Sequence, residues 1–147
     1  MEKRISINAV DPQAFKAMFA LEGYLTKAEI SPTLKELIKI RASQINGCAY
    51  CIAMHTKDAL ENGESNQRIF LVSAWREATK FFTEEEQTAL AMTEEITLVH
   101  QKGLSKETYQ KAVSIFTKSQ VAQIIMAIVT INAWNRIAVS THQEIEA

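Results

Sequence analysis

Glycine and proline are nearly missing from this chain, with four and two among 147 residues. A fold made of many short strands needs turn residues at each reversal, so the shortage argues against a β protein and for long helices. An excess of charge is missing too: 16 Lys and Arg face 17 Asp and Glu, for a formal net charge of -1. With no basic face implied, nucleic acid is excluded as the expected partner. No apolar run follows the opening Met1-Glu2-Lys3-Arg4. No secretory signal is read there, and a cytoplasmic location is expected. Cysteine is limited to two residues, three positions apart. In a reducing compartment such a close pair points to catalysis or metal binding rather than to a structural staple. What is present is ordinary for a soluble domain, 47% apolar and 22% charged residues. Residues 1–147 are expected to form one domain with its own core.

Helix signals recur along the chain. Residues 1–10 read as extended, with Ile5 and Ile7 alternating. Asp11-Pro12 and Ser31-Pro32 each pair a capping side chain with a proline suited to the first helical turn. Phe15, Met18, Phe19, Glu22 and Leu25 follow the first at helical spacing; Leu34, Leu37, Ile38, Arg41 and Ile45 follow the second, until Asn46-Gly47 stops it. A third helix opens at or near Cys48 and runs to Asn62-Gly63. A fourth starts at Ser65, with Ile69, Val72 and Trp75 or Arg76 along one side. Thr83 and Glu86 form a capping box for a fifth, which runs to Gln101-Lys102-Gly103. Ser105 begins a sixth, with Tyr109, Ala112, Val113 and Phe116 facing inward. The last spans about Ser119 to Val139. No segment has a convincing strand period. The expected fold is all-α, a single-domain bundle of about six or seven helices.

Val121 to Val139 is apolar on nearly every side and close to the ~20 residues of a membrane span. Gln123, Asn132, Asn135 and Arg136 lie inside it, and they are costly in lipid. The segment is therefore expected to be a central helix, covered by the domain or by another subunit, and no membrane association is expected. Its apolar surface exceeds what a subunit of this size easily covers, which predicts a homo-oligomer.

The chemistry is concentrated between Glu36 and His55, in the pattern Glu-x11-Cys-x2-Cys-x3-His. At ~100° per residue, with Cys48 as zero, Cys51 falls near ~-60° and His55 near ~-20°, so the three share a helix face. Cys51 and His55, four apart, are direct neighbours. Unpaired backbone N–H groups in a first helical turn favour a thiolate, the form that attacks a peroxide oxygen. The Cys-x2-Cys spacing lets a sulfenic acid on one sulfur be captured by the other as a disulfide. His55 can carry the proton, and Glu36 can orient His55 or act as a base through water. Each residue also has a plain reading: cysteines are often small core residues, and helix carboxylates are usually solvated. Zinc on Cys48, Cys51 and His55 is the competing site, but a closed one needs a fourth ligand, and neither His100 nor His142 is near in sequence. Haem attachment needs a histidine directly after the second cysteine, where Ile52 stands; a thioredoxin site needs a βαβ context. The chain is expected to use neither metal nor cofactor.

At these residues the chain resembles a known family. The run Leu34-Lys35-Glu36-Leu37-Ile38-Lys39-Ile40-Arg41, then Gln44-Ile45-Asn46-Gly47-Cys48-Ala49-Tyr50-Cys51, then His55, is similar to the carboxymuconolactone decarboxylase superfamily. More narrowly, it resembles the AhpD-like alkylhydroperoxidase core. Softer likeness extends into Trp75-Arg76-Glu77, Thr83 to Ala91 and Ile131 to Arg136. The resemblance implies a helical subunit assembled into trimers or hexamers. It implies a peroxidase acting on a hydroperoxide substrate, with a protein thiol or lipoyl group as reductant. It implies that Glu36, Cys48, Cys51 and His55 are the redox and proton-relay residues, with Cys51 attacking and Cys48 resolving. One position departs: the alkylhydroperoxidase that names the group has a histidine just before its second cysteine, and here Tyr50 stands there. The ring-lactone decarboxylases of the superfamily generally lack the cysteine pair. Lactone decarboxylation or isomerisation through Glu36 and His55, and a non-catalytic redox or zinc-binding module, are the alternatives.

Overall fold

The computed structural model describes residues 2–146. Eight α-helices appear in chain order: α1 (Ile7–Val10), α2 (Pro12–Thr26), α3 (Pro32–Asn46), α4 (Ala49–Glu61), α5 (Asn66–Leu71), α6 (Glu84–Thr97), α7 (Lys106–Ile115) and α8 (Lys118–Thr141). Three short 3-10 segments, 72–74, 79–81 and 99–101, join them, and there is no strand among the described residues.

The capping chemistry sets most boundaries. Ser31 Oγ accepts from the Leu34 N–H at 3.1 Å, and Pro32 opens α3. Thr83 and Glu86 make the expected reciprocal box at α6. Thr117 and Gln120 make a second one, so α8 starts at Lys118. Asp11 stands before α2 but its side chain makes no cap hydrogen bond.

Four expectations change. Residues 7–10 are a helical turn capped by Ser6, not extended chain, because no sheet is present to pair an Ile5/Ile7 alternation and Ile5 stays exposed. That turn raises the helix count from six or seven to eight. The fourth helix breaks into α5 and the 3-10 segment 72–74; its buried residues Ile69, Val72 and Trp75 are three apart, the period of a 3-10 helix rather than an α-helix. α6 ends at Thr97, and the chain reaches Gly103 through positive φ at Lys102 and Gly103. Ala112 of α7 and its C-cap residue Phe116 are buried, but Tyr109 and Val113 are exposed.

α3 is the axis of the molecule, packed on α4, α6 and α8. Leu34, Ile38 and Ala42, one turn apart, face a core shared with Ala89 and Met92 of α6 and with Val121, Ile124, Ala127, Ile128 and Ile131 of α8. Leu37 and Ile40 face a second core with Ala59, Ile69, Val72, Trp75, Phe82 and Leu90. Each fully buried Leu or Ile stabilises the fold by about 1.5–3 kcal/mol. By length and composition α8 could cross a membrane; here it packs along α2, α3, α4, α6 and α7. With two faces of α3 given to apolar cores, Glu36 and Ser43 occupy the third, seven residues apart and both buried.

Candidate active site

The cysteine segment is built by the way α3 stops. Gly47 adopts φ +64°, a left-handed cap that a Cβ would strain. This turn lets the Cys48 N–H reach back to the Ser43 carbonyl at 3.0 Å, closing the end of α3. Cys48 therefore does not sit inside the next helix. It is the N-cap of α4, and its Sγ accepts from the Cys51 N–H at 3.4 Å. Both cysteines are free, 2% exposed, and packed with Ala138 of α8. The looped position does not make Cys48 the more exposed of the two.

One turn beyond Cys51, His55 is buried, and its Nδ1 lies 3.1 Å from Glu36 Oε2. A carboxylate only accepts, so Nδ1 carries the hydrogen and Nε2 is left as the free basic nitrogen. The other Glu36 oxygen meets Lys39 Nζ at 3.6 Å. Asp58 is a more distant second carboxylate, 3.9 Å from Nδ1 and half-exposed. All four expected residues thus lie where α3 meets α4, Glu36 from the first helix and the rest from the second and its cap.

A cavity of about 400 Å³ opens over this junction. Phe15 and Phe19 of α2 and Trp134 of α8 form an aromatic wall, with ring centroids 5.4–6.2 Å apart. Trp134 is anchored by its indole N–H, which donates to Glu22 at 2.9 Å. Tyr50, His55, Lys39 and Asp58 supply polar groups to the lining, and Met54 adds a further apolar side chain. Cys51 lines this cavity and Cys48 does not. Burial, first, and the hydrogen bond to Cys48, second, push the Cys51 thiol up to about 12, while a hydrogen bond from Asn135 pulls the other way. The resting Cys51 therefore holds its proton.

The potential metal donors gathered among the described residues are Glu36, His55 and Asp58, within 4.8 Å of one another; the two cysteines are not part of that group. The zinc set Cys48, Cys51 and His55 is thus not the set the fold assembles. Lys39 already supplies a positive charge to Glu36. Sequence reasoning missed Lys39, Asp58 and the aromatic wall as cavity residues. Phe15 and Phe19, four apart, read as core spacing, but Phe19 is 60% exposed. Asp58, three after His55, was the available signal for the second carboxylate.

A helical domain with a buried Cys-x2-Cys pair beside a Glu–His couple, Cys51 and His55 opening on an aromatic-walled cavity, defines a class of thiol-bearing helical proteins. The chain matches the carboxymuconolactone decarboxylase family over residues 12–95 and belongs to it. The uncharacterized protein YdfG of Bacillus subtilis (strain 168) is 41% identical over 140 residues, 95% of each chain. A crystal structure of a protein of unknown function from Agrobacterium tumefaciens, for which the antioxidant defence protein AhpD is the suggested identity, superposes with a TM-score of 0.94 at 36% identity over 99% of both chains. The debrominase Bmp8 superposes with a TM-score of 0.84 over 95% of this chain and 74% of its own, at 21% identity, a likeness of fold. The AhpD-like all-helical fold expected from the sequence is the fold found.

Proposed function

We propose that this protein is a cytoplasmic thiol-dependent peroxidase for hydroperoxides, with Cys51 as the attacking sulfur and Cys48 as the resolving one. The observation that carries the reading is the division between the two cysteines: Cys51 lines the cavity one turn from the Glu36–His55 couple, and Cys48 lies behind it at the helix cap. His55 Nε2 takes the Cys51 proton, and Glu36 steadies the resulting imidazolium through Nδ1. The thiolate attacks the distal peroxide oxygen. The O–O bond breaks, a sulfenic acid forms on Cys51, and the leaving alkoxide takes the proton from His55 and departs as an alcohol. The Cys48 thiol then displaces hydroxide from Cys51, which leaves as water, and the disulfide results. A dithiol reductant, a protein dithiol or a reduced lipoyl group, returns both thiols by exchange and is itself oxidised.

The test is a single turnover of the reduced protein with hydrogen peroxide, tert-butyl hydroperoxide and cumene hydroperoxide. One equivalent of peroxide is expected to disappear with two thiols. Cys51→Ser should consume none, and Cys48→Ser should stop at a sulfenic acid on Cys51 that dimedone traps. Dimedone on Cys48 in the Cys51→Ser protein would reverse the roles. Intact thiols and intact peroxide in the wild type, across all three compounds, would end the peroxidase reading.

A further inference from the structure

The peroxidase steps use one side of the cavity, the Cys51 sulfur with the Glu36–His55 couple. The other side is built of three rings, and those steps give it no task. Phe15 and Phe19, four apart on α2, and Trp134 of α8 all line the cavity. Their ring centroids lie 5.4–6.2 Å apart with planes inclined by 56–68°, the edge-to-face and tilted arrangements that aromatic pairs favour.

The rings do not extend the core. Neither Phe15 nor Phe19 packs against either apolar core, and Trp134 meets the first one only as a partly buried side chain. Phe19 is 60% exposed, and a phenyl ring left to water forgoes much of the roughly 1.5–3 kcal/mol that full burial supplies. The wall is nevertheless held in place. The Trp134 indole N–H donates to Glu22 at 2.9 Å, and Glu22 follows Phe19 by three residues on the same helix. α2 thus supplies two of the rings and the anchor of the third, so the wall stands formed before any guest enters.

Size and charge narrow the guest. A cavity of about 400 Å³ is within the range that holds a small organic molecule, about 300–1,000 Å³. Hydrogen peroxide, little larger than a water of ~30 Å³, cannot fill it. Glu22 and Asp58 give the lining two carboxylates, and the Lys39 ammonium lies 3.6 Å from Glu36. An anionic guest would face this set without a cation of its own.

We propose that the three rings form a recognition site for an aromatic ring, and that the substrate is a neutral, aryl-bearing hydroperoxide whose ring lies against Phe15, Phe19 and Trp134 while its peroxide group faces Cys51. The inference rests on the peroxidase reading and deepens it by naming the substrate class. The chemistry is that of the steps above: the distal oxygen passes to the Cys51 sulfur, the O–O bond breaks, and the aryl alcohol leaves with the proton from His55. That alcohol differs from the substrate by one oxygen, which makes it a stable probe of the same site.

The experiment compares three alcohols on the reduced full-length protein, with binding followed by tryptophan emission and by mutual displacement. They are 2-phenyl-2-propanol, its 4-carboxylate, and 2-cyclohexyl-2-propanol. Apolar area alone favours the cyclohexyl compound or makes the two neutral alcohols equal. Aromatic contact makes the phenyl alcohol the tighter by roughly two- to tenfold. The carboxylate should bind at least about tenfold more weakly than the neutral phenyl alcohol. Phe15→Leu and Phe19→Leu keep apolar bulk and remove a ring, so each should narrow the gap between phenyl and cyclohexyl. In each, the single-turnover rate with cumene hydroperoxide relative to tert-butyl hydroperoxide should fall by a similar factor. Equal binding of the two neutral alcohols by the wild type would overturn the proposal, as would a phenyl preference that survives undiminished in both variants. A carboxylate that binds as tightly as the neutral phenyl alcohol would overturn the neutral class. Intact peroxide with every hydroperoxide would end the peroxidase reading, and the alcohol comparison, which consumes no peroxide, would still decide whether the rings select an aryl guest.

Discussion

His55 Nδ1 and Glu36 Oε2 lie 3.1 Å apart, joining residues 19 positions apart on α3 and α4, and both side chains are buried. The contact fixes the imidazole tautomer and supplies a negative charge where an imidazolium would form. Glu36→Gln keeps the shape and removes the charge. Peroxide consumption should fall by about 10²-fold, the lower end of what general acid–base assistance supplies. Titratable thiols and helical content should stay as in the wild type. Asp58, at 3.9 Å and half-exposed, is too loosely placed to take over. A Glu36→Gln protein with the wild-type single-turnover rate would remove Glu36 from the mechanism.

The raised Cys51 thiol has a consequence for stability. The folded protein holds this proton up to about 12, with burial the main cause, whereas an unfolded cysteine releases it near 9.0. Between those values the folded state binds more protons, so stability falls as pH rises through that window. Below about pH 9 the group makes no slope. Urea unfolding of the reduced protein at pH 8, 9, 10 and 11 should show a steeper decline in the wild type than in Cys51→Ala. Equal declines would mean that Cys51 is not held protonated.

The helices that make the site were legible because their ends carry side-chain chemistry: Ser31-Pro32, Asn46-Gly47 and Thr83 with Glu86 each mark a boundary by a local hydrogen bond. The grouping of Cys51 with His55 was legible because helical spacing fixes it; Glu36, on the preceding helix, joined them only through the family resemblance. The cavity wall was not. Trp134 lies more than 100 positions along the chain from Phe15 and Phe19, and an aromatic at helical spacing looks the same whether it faces a core or a cavity. The helix start at or near Cys48 was legible, but not whether Cys48 is the cap or the first turn, which only the Gly47 geometry decides. Asn132 and Asn135 were recognisable as polar groups costly in an apolar setting, but that Asn46 and Ser43 of α3 partner them depends on the packing of α3 against α8.

Apolar side chains remain on the surface of this chain. Val129 and Val139 of α8 are 43% and 46% exposed, and Val10 of α1 and Phe19 of α2 are 68% and 60% exposed. Residues of this type on a helix already packed along one side predict self-association. We expect a trimer or hexamer by multi-angle light scattering at micromolar concentration. A mass of 16.5 kDa, that of one chain, would refute it.

Arg68 holds together the part of the fold that carries no chemistry. Its Nε meets Glu64 at 2.7 Å, its Nη2 meets Glu86 at 2.8 Å, its Nη1 donates to the Phe81 carbonyl, and its guanidinium lies 4.9 Å from the Phe82 ring centroid. Glu86 is also half of the capping box that starts α6. The two carboxylates raise the Arg68 pKa, Glu86 foremost, so the clamp stays charged at any working pH. Arg68→Met would leave Glu64 and Glu86, 9% and 13% exposed, without their partner. The expected loss is about 2–4 kcal/mol, because unpaired carboxylates in a mostly buried setting cost more than the pair contributes. That corresponds to a drop in Tm of roughly 5–12 °C for a chain of this size. Arg68→Lys keeps a charge but not the fork that serves both carboxylates, and should recover only part of the loss. None of these residues lines the cavity, so the single-turnover rate per folded molecule should not change. A wild-type Tm in Arg68→Met would show that the clamp is idle, and a lowered rate at full stability would show that it reaches the cysteines.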